Sequence, residues 1–307
     1  MRVSFCCPGL DNTAPWLQGL NEALGEPCTT LWKPGGPCAD FAVAWGPPQQ
    51  FLDEQRHVRA LFAMGAGVDG FMRLQIPEDL KLIRVEDAGM SAQMAEYVCH
   101  AFIRHFRELD VYEADANKGI WAYRKPRVRS QFPIGVMGLG VLGRRVAQAL
   151  ASFDFPVNGW SRTLKSVPGV RCFGGDAGLA QFLAESRGLV CLLPLTAATR
   201  NILNHTTLSQ LQRGGYVVNV ARGAHVVDED LIALVDSGHL AGATLDVFRT
   251  EPLPPDHAFW QHPRIVVTPH MSARTLHEES IAQIAGKIIA MNQGQAVSGV
   301  VNREAGY

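Results

Sequence analysis

The sequence predicts an α/β protein made of two Rossmann-like, doubly wound parallel-sheet domains, and three observations carry that reading. Short apolar runs alternate with longer helical patterns over nearly the whole chain. The runs are continuous rather than alternating, as in parallel strands buried on both faces. The chain has 307 residues, more than one hydrophobic core comfortably serves. Strand–helix alternation of this kind implies doubly wound sheets.

The strands come in two groups. RVSFCC (2–7), FAVAW (41–45), ALFAM (60–64) and KLIRV (81–85) form a first α/β unit. PIGVMG (133–138), FPVNGW (155–160), GLVCLLPL (188–195), GYVVNVA (215–221), AGATLDVF (241–248) and RIVVTPH (264–270) form a second. Between them, 91–109 reads as a long helix capped by Ser91, with Met94, Ala95, Val98, Ala101 and Phe102 at helical spacing. The stretch 110–131, DVYEADANKGIWAYRKPRVRSQ, is polar, aromatic and weakly periodic, either a linker or an arm that packs on another subunit. A last helical pattern at 273–293 comes too late for the second sheet, so the tail is expected to return to the first domain. The expected division is therefore 1–99 plus 275–307 for one domain, flavodoxin-like, and 100–274 for the other.

Composition narrows the function classes. At 47% hydrophobic and 19% charged, with a formal charge of −1, the chain has no broad electrostatic pull toward nucleic acid or acidic lipid. MRVSFCCPGL lacks a secretory core, and no apolar run reaches membrane-spanning length. Seven cysteines without CxxC spacing suggest neither a disulfide framework nor a zinc site, and ten histidines include no HExxH. No metal is expected. Cys6, Cys7 and Cys191 read as small buried hydrophobes in a reducing cytoplasm.

The informative turn lies in PIGVMGLGVLGRRVAQAL. A strand precedes Gly138, Gly140 and Gly143, set at GxGxxG spacing, and a helix follows. Gly138 permits the tight turn, Gly140 lets backbone approach a pyrophosphate, and Gly143 lets the helix pack close to its strand. The helix N-terminus offers N–H groups and a positive dipole end to phosphate. On that helix Val141, Leu142, Val146, Ala149 and Leu150 are expected on one side, with Arg144, Arg145 and Gln148 outward. The plain alternative is a glycine-rich turn without a ligand.

A dinucleotide site normally carries a carboxylate at the end of its second strand, holding two ribose hydroxyls. Here VNGWSRT puts Ser161, Arg162 and Thr163 at that place, with Lys165 just beyond. Serine donates, and arginine presents a planar fork suited to phosphate oxygens. Charged hydrogen bonds contribute about 1.5–3 kcal/mol each, so one such bond biases cofactor choice by roughly ten- to hundredfold. The expected cofactor is NADP(H), with NADH a weaker alternative. A solvated surface arginine is the competing reading of Arg162.

Three further stretches follow strands of the same apparent sheet: VVNVARGAHVVDEDLIALV, ATLDVFRTEPLP and VVTPHMSA. Taken singly, Arg222 is a loop arginine, Glu251 a turn residue before Pro252, and His270 a satisfied histidine after Pro269. Their common placement beyond strand ends, where such sheets bind ligands, changes the weighting.

The whole chain resembles the D-isomer-specific 2-hydroxyacid dehydrogenases, most closely their glyoxylate/hydroxypyruvate reductase A group. The resemblance rests on GVMGLGVLG, GWSRT, LLPLTAATRNILN, NVARGAHVVDEDLI, LDVFRTEPLP and TPHMSA, with AVAWGPP, FAMGAGVDG and GIWAYRKP favouring the reductase group. It implies that Arg222, Glu251 and His270 are catalytic. Arg222 would grip the carboxylate of a 2-oxo acid and polarise its ketone, and His270 as imidazolium would protonate the forming alkoxide while NADPH gives hydride. Glu251 would orient the ring. The resemblance also implies substrate contacts at Ala66 and Gly67, with Trp45 limiting substrate size and Arg274 approaching the substrate. For Trp45 a core role, and for Arg274 a capping or exposed role, stay open. On the cofactor side it points to Leu142, Leu193, Pro194, Val220, Ala221 and Asp246, the last bonding the nicotinamide carboxamide or an ion-pair partner elsewhere. It further implies a nucleotide domain inserted into a substrate domain, a cleft that closes over substrate, and a homodimer held through the inserted domain. Trp121 would then stand near the partner's site. The expected reaction is reduction of glyoxylate or hydroxypyruvate. The alternatives are larger 2-oxo acids, such as 2-ketogluconate or phenylpyruvate, and a non-catalytic NADP(H)-sensing binding protein.

Overall fold

The computed structural model of the chain describes residues 1–304 and contains two compact units. The first takes Met1–Met90 together with the C-terminal stretch from Thr275; the second is Ser91–Arg274. In the first unit β1 (Val3–Cys6), α1 (Ala14–Leu24), β2 (Thr29–Leu31), β3 (Phe41–Ala44), α2 (Gln49–Glu54), β4 (Ala60–Ala63) and β5 (Lys81–Ile83) follow in order. The second unit holds α3 (Met90–Phe106), α4 (Leu109–Ala116), β6 (Ile134–Met137), α5 (Val141–Ser152), β7 (Val157–Ser161), β8 (Arg171–Gly174), α6 (Gly175–Ala184), β9 (Gly188–Cys191), α7 (His205–Leu208), β10 (Gly215–Asn219), α8 (Asp228–Asp236), β11 (Leu240–Leu245) and β12 (Ile265–Val267). Helix α9 (His277–Asn292) belongs to the first unit and packs on α1.

Both sheets are parallel throughout, ordered β2-β1-β3-β4-β5 and β12-β11-β10-β9-β6-β7-β8. Each is covered on both faces, which explains the unbroken apolar runs. Phe41 and Val43 of β3 enter one core of the first unit, while Ala42 and Ala44 enter the other. Along β10, Val217 faces one core of the second unit, and Tyr216 and Val218 face the opposite one. The chain past Gly299 runs antiparallel beside β5, with Val301 N–H donating to Leu82 O at 2.9 Å.

Two strands were not expected, β2 and β8, and both are sheet edges. TTL and RCFG carry polar and half-exposed residues because one flank meets solvent, so they lack the signature of a fully covered strand. The long helix also differs from expectation. Asp87, Ala88 and Gly89 all lie at left-handed φ (66°, 46° and 77°), and the helix begins at Met90, so Ser91 is its second residue rather than its cap. It stops at Phe106 because Glu108 turns left-handed at φ 53°, and a separate short helix, α4, follows within the expected arm. The last helix is shorter than its pattern, starting at His277.

The first crossing between units falls at 90/91, earlier than residue 99, because α3 packs wholly on the second sheet. Met94, Ala95, Val98, Ala101, Phe102 and Phe106 share one core with Phe132, Ile134 and Tyr216. His105 stacks on Tyr216 with ring centroids 4.1 Å apart. Its Nε2 is buried without a hydrogen-bond partner. Burial, reinforced by the positive charges of Arg127 and Arg187, lowers its pKa to about 3.

That neutral histidine makes stability depend on pH. Below about 6.5 the unfolded chain takes up a proton that the folded chain refuses until about 3, so the contribution is present above this window and lost as pH falls through it. Chemical denaturation of the wild type should lose up to ~1.4 kcal/mol per pH unit there relative to His105→Phe. Parallel pH profiles for the two proteins would contradict the assignment.

Candidate active site

One row of paired residues organises the second unit. Trp160 of β7 pairs with Met137 of β6, Met137 with Cys191 of β9, Cys191 with Asn219 of β10, Asn219 with Leu245 of β11, and Leu245 with Val267 of β12. All these strands are parallel, so the segments just past the row leave from one edge of the sheet. Those segments carry nearly every residue singled out by sequence for cofactor or chemistry. Strand order reverses between β6 and β9, the kind of switch point where open α/β sheets take ligands.

The glycine turn lies at that reversal. Gly138 has φ 101°, and a Cβ there would stand 2.6 Å from Leu192 O. A Cβ on Gly143 would run into the Gly138 carbonyl, so its absence lets α5 sit directly on the turn. A Cβ on Gly140, by contrast, would meet nothing within 4 Å. Gly140 is the N-cap of α5, and no side chain caps that end. The cradle thus presents uncapped helix N–H groups to open space, as a dinucleotide pyrophosphate requires. On α5, Val146, Ala147 and Leu150 are buried and Leu142 and Ala149 half-buried, whereas Val141, expected inward, is 54% exposed. As the first residue past the cap, it faces the open side of the turn instead of the sheet.

At the end of β7 the Ser161 hydroxyl donates to Thr163 O at 2.8 Å, spending its one proton within the turn. Arg162, Thr163 and Lys165 are exposed beyond it. After β9, Leu193 packs into the core, while Pro194 O accepts from Thr199 Oγ1 (2.6 Å) and lies 3.3 Å from His225 Nε2. After β10, Val220 and Ala221 are buried on opposite core faces.

The three candidate catalytic groups follow adjacent strands: Arg222 after β10, Glu251 after β11 and His270 after β12. His270 Nδ1 lies 2.7 Å from Glu251 Oε2, and Glu251 Oε1 accepts from Phe248 N–H at 2.8 Å. One carboxylate therefore bonds its own loop and the imidazole together. The wholly buried Asn219 shapes the arginine turn, accepting from Ala221 N–H (3.2 Å) and donating to Arg222 O (3.0 Å). The guanidinium donates to Ala221 O at 2.7 Å. Gly223 joins the two loops, since a Cβ there would run into the backbone of Phe248 and Arg249.

The fully buried Asp246 receives Thr268 Oγ1 (2.6 Å), Met271 N–H (2.9 Å) and Ser272 N–H (2.8 Å) on its carboxylate, so it wraps the histidine loop around itself. Arg274 exchanges main-chain hydrogen bonds with the Gln93 side chain. Asn219, Gly223, Thr268 and Gln93 were not singled out by sequence. Glycine directly after a candidate arginine was the one available signal. In the first unit, Ala66 and Gly67 are half-buried just past β4, and Trp45 is 43% exposed, its indole against Gly65. Trp45 is thus not a core residue. In the arm, Trp121 is fully exposed. Among the described residues no group of three or more His, Cys, Asp or Glu could hold a metal ion, and no helix is long and apolar enough to cross a membrane.

Residues 99–272 match the family described as "D-isomer specific 2-hydroxyacid dehydrogenase, NAD binding domain". The chain belongs to this family. Over its full length it is 42% identical to glyoxylate/hydroxypyruvate reductase A of Serratia proteamaculans (strain 568), which it also covers completely. A D-isomer specific 2-hydroxyacid dehydrogenase from Xanthobacter autotrophicus Py2, solved in complex with NADPH and MES, superposes with a TM-score of 0.94 at 35% identity. That match covers all of this chain and 99% of the other. The NADPH-dependent glyoxylate/hydroxypyruvate reductase of Sinorhizobium meliloti, in complex with NADP and sulfate, gives a TM-score of 0.89 at 31% identity over the whole of both chains.

Gly223 meets main chain rather than a flexible side-chain tip, so the Arg222 loop has no room to yield. Gly223→Ala should lower unfolding free energy by ~1–3 kcal/mol in a denaturant titration. Wild-type stability in that variant would contradict the close approach of the two loops.

Proposed function

We propose that the protein is an NADPH-dependent reductase of small 2-oxo acids, taking glyoxylate to glycolate and hydroxypyruvate to D-glycerate. The observation that carries this reading is the His270–Glu251 contact at the strand edge that also bears Arg222 and the glycine cradle. The names of the relatives from Serratia and Sinorhizobium support the substrate class, and the NADPH and NADP complexes support the cofactor.

When bound, NADPH supplies the hydride that forms the new C–H bond. Gly138, Gly140 and Gly143 would hold its pyrophosphate, and Arg162 with Lys165 its 2′-phosphate. Leu142, Leu193, Pro194, Val220, Ala221 and Asp246 would line the remainder. Arg222 holds the substrate carboxylate and polarises the adjacent ketone with a charge that never leaves it. Glu251 engages Nδ1 of His270, which leaves Nε2 to carry the proton that the ketone oxygen receives as its π bond opens. The product is a 2-hydroxy acid and a neutral imidazole. The exposed Ile120, Trp121, Tyr123 and Val128 of the arm support a homodimer, which light scattering on the purified protein would test.

A panel of 2-oxo acids of increasing side-chain size, run with NADPH and NADH side by side, tests the reading. Glyoxylate and hydroxypyruvate with NADPH should give the highest kcat/KM. A bulky preference would reassign the substrate, and NADPH binding without turnover of any 2-oxo acid would sink the enzyme reading. His270→Ala should lose ~10²–10⁴-fold in kcat. Arg222→Ala, losing charged hydrogen bonds of about 1.5–3 kcal/mol each, should lose a comparable factor. For Arg162→Ala the NADPH-over-NADH preference should shrink by roughly ten- to hundredfold. An unchanged preference would remove Arg162 from the cofactor site.

A further inference from the structure

We infer that Tyr97, on α3, is a positioning residue for His270, acting through Thr268 and the Asp246 carboxylate. The inference rests on the reading of His270 as proton donor. His270 itself sits in the left-handed region at φ 52°, a conformation that surrounding bonds must hold for a residue with a β-carbon. Those bonds converge on one residue. His270 N–H donates to Asp246 O (2.8 Å) and to Thr268 O (3.0 Å). The chain on both sides of it, at Thr268, Met271 and Ser272, donates to the Asp246 carboxylate.

The order of the protons then follows. The carboxylate is surrounded by donors, so Thr268 spends its single hydroxyl proton on Oδ1. Thr268 Oγ1 lies 2.5 Å from Tyr97 Oη, and with its proton committed it accepts there; Tyr97 is the donor. Burial, with the nearby negative charge of Asp246, pushes the Tyr97 hydroxyl to about 12 against the opposing effect of the Thr268 bond, so the donor keeps its proton at any working pH. Gln93, one helical turn earlier, holds Arg274 through both main-chain groups. Helix α3 thereby grips the segment carrying His270 on either side of it.

The test is a cycle of Tyr97→Phe and Thr268→Val, with Thr268→Ser as the conservative control. Tyr97→Phe removes only the hydroxyl, and loss of one buried hydrogen bond should lower kcat roughly three- to tenfold. KM for the 2-oxo acid should change less than kcat, because Tyr97 positions the proton donor and does not touch the substrate. In the Thr268→Val background the same change should do nothing further, and Thr268→Ser should behave like wild type. The ring 15N signals of His270, assigned with His270→Gln in the cofactor-free protein, should shift in Tyr97→Phe. Wild-type kcat, a rise in KM that accounts for the whole loss, additive effects of the two substitutions, unmoved His270 signals, or lost thermal stability with kcat intact would each overturn the inference. A wild type that turns over no 2-oxo acid would instead remove the role of His270, and the ring signals alone would then decide whether Tyr97 positions it.

Discussion

The parallel hydrogen-bonded row from Trp160 to Val267 is the constraint on which the second unit depends. Parallel pairing sends every strand out at the same edge, and each crossover must pass behind the sheet before the next strand begins. Groups as distant in sequence as Gly138 and His270 therefore emerge along one line. Five of the six strands in this row, all but the edge strand β12, are short and buried almost throughout, so the line is as rigid as the core beneath it. Helix α3 adds to that rigidity by laying Val98, Phe102 and Phe106 across the sheet.

Onto this edge the chain builds loops that are tied by their own main chain. Asn219 closes the arginine turn, Glu251 closes its own loop while reaching His270, and Asp246 gathers the histidine segment. Asn219 and Asp246 are buried polar groups that must be satisfied, and their satisfaction doubles as placement. The imidazole, the carboxylate beside it and the guanidinium loop thus belong to one connected set of bonds. Close approach does the rest. Where Gly143 meets the Gly138 turn and Gly223 meets the Phe248 backbone, the absence of a side chain is what lets two segments touch.

The match over residues 99–272 concerns the unit in which the cradle and the histidine loop lie. The basic loop after β7 departs from the acidic pattern of NAD-binding sites, and its exposed Arg162 and Lys165 offer charge where a carboxylate would repel phosphate.

The two sheets and the glycine turn were legible in the sequence because each leaves a local trace, whereas Arg222, Glu251 and His270 were singled out only by their common placement beyond strand ends and by the family resemblance. Doubly covered strands need unbroken apolar runs, and tight turns need glycine. Edge strands such as Thr29–Leu31 and Arg171–Gly174 leave no such trace, since solvent on one flank permits polar residues. The start of α3 was misplaced because three left-handed residues in a row are not written in side-chain type when one of them is Ala88. What only the tertiary structure decided was how distant groups hold one another: Asp246 with Thr268, Met271 and Ser272, Glu251 with His270, and Tyr97 with Thr268. A hydrogen bond such as that between Tyr97 and Thr268, 171 positions apart, depends on strand order and crossover, and no short stretch of sequence encodes those.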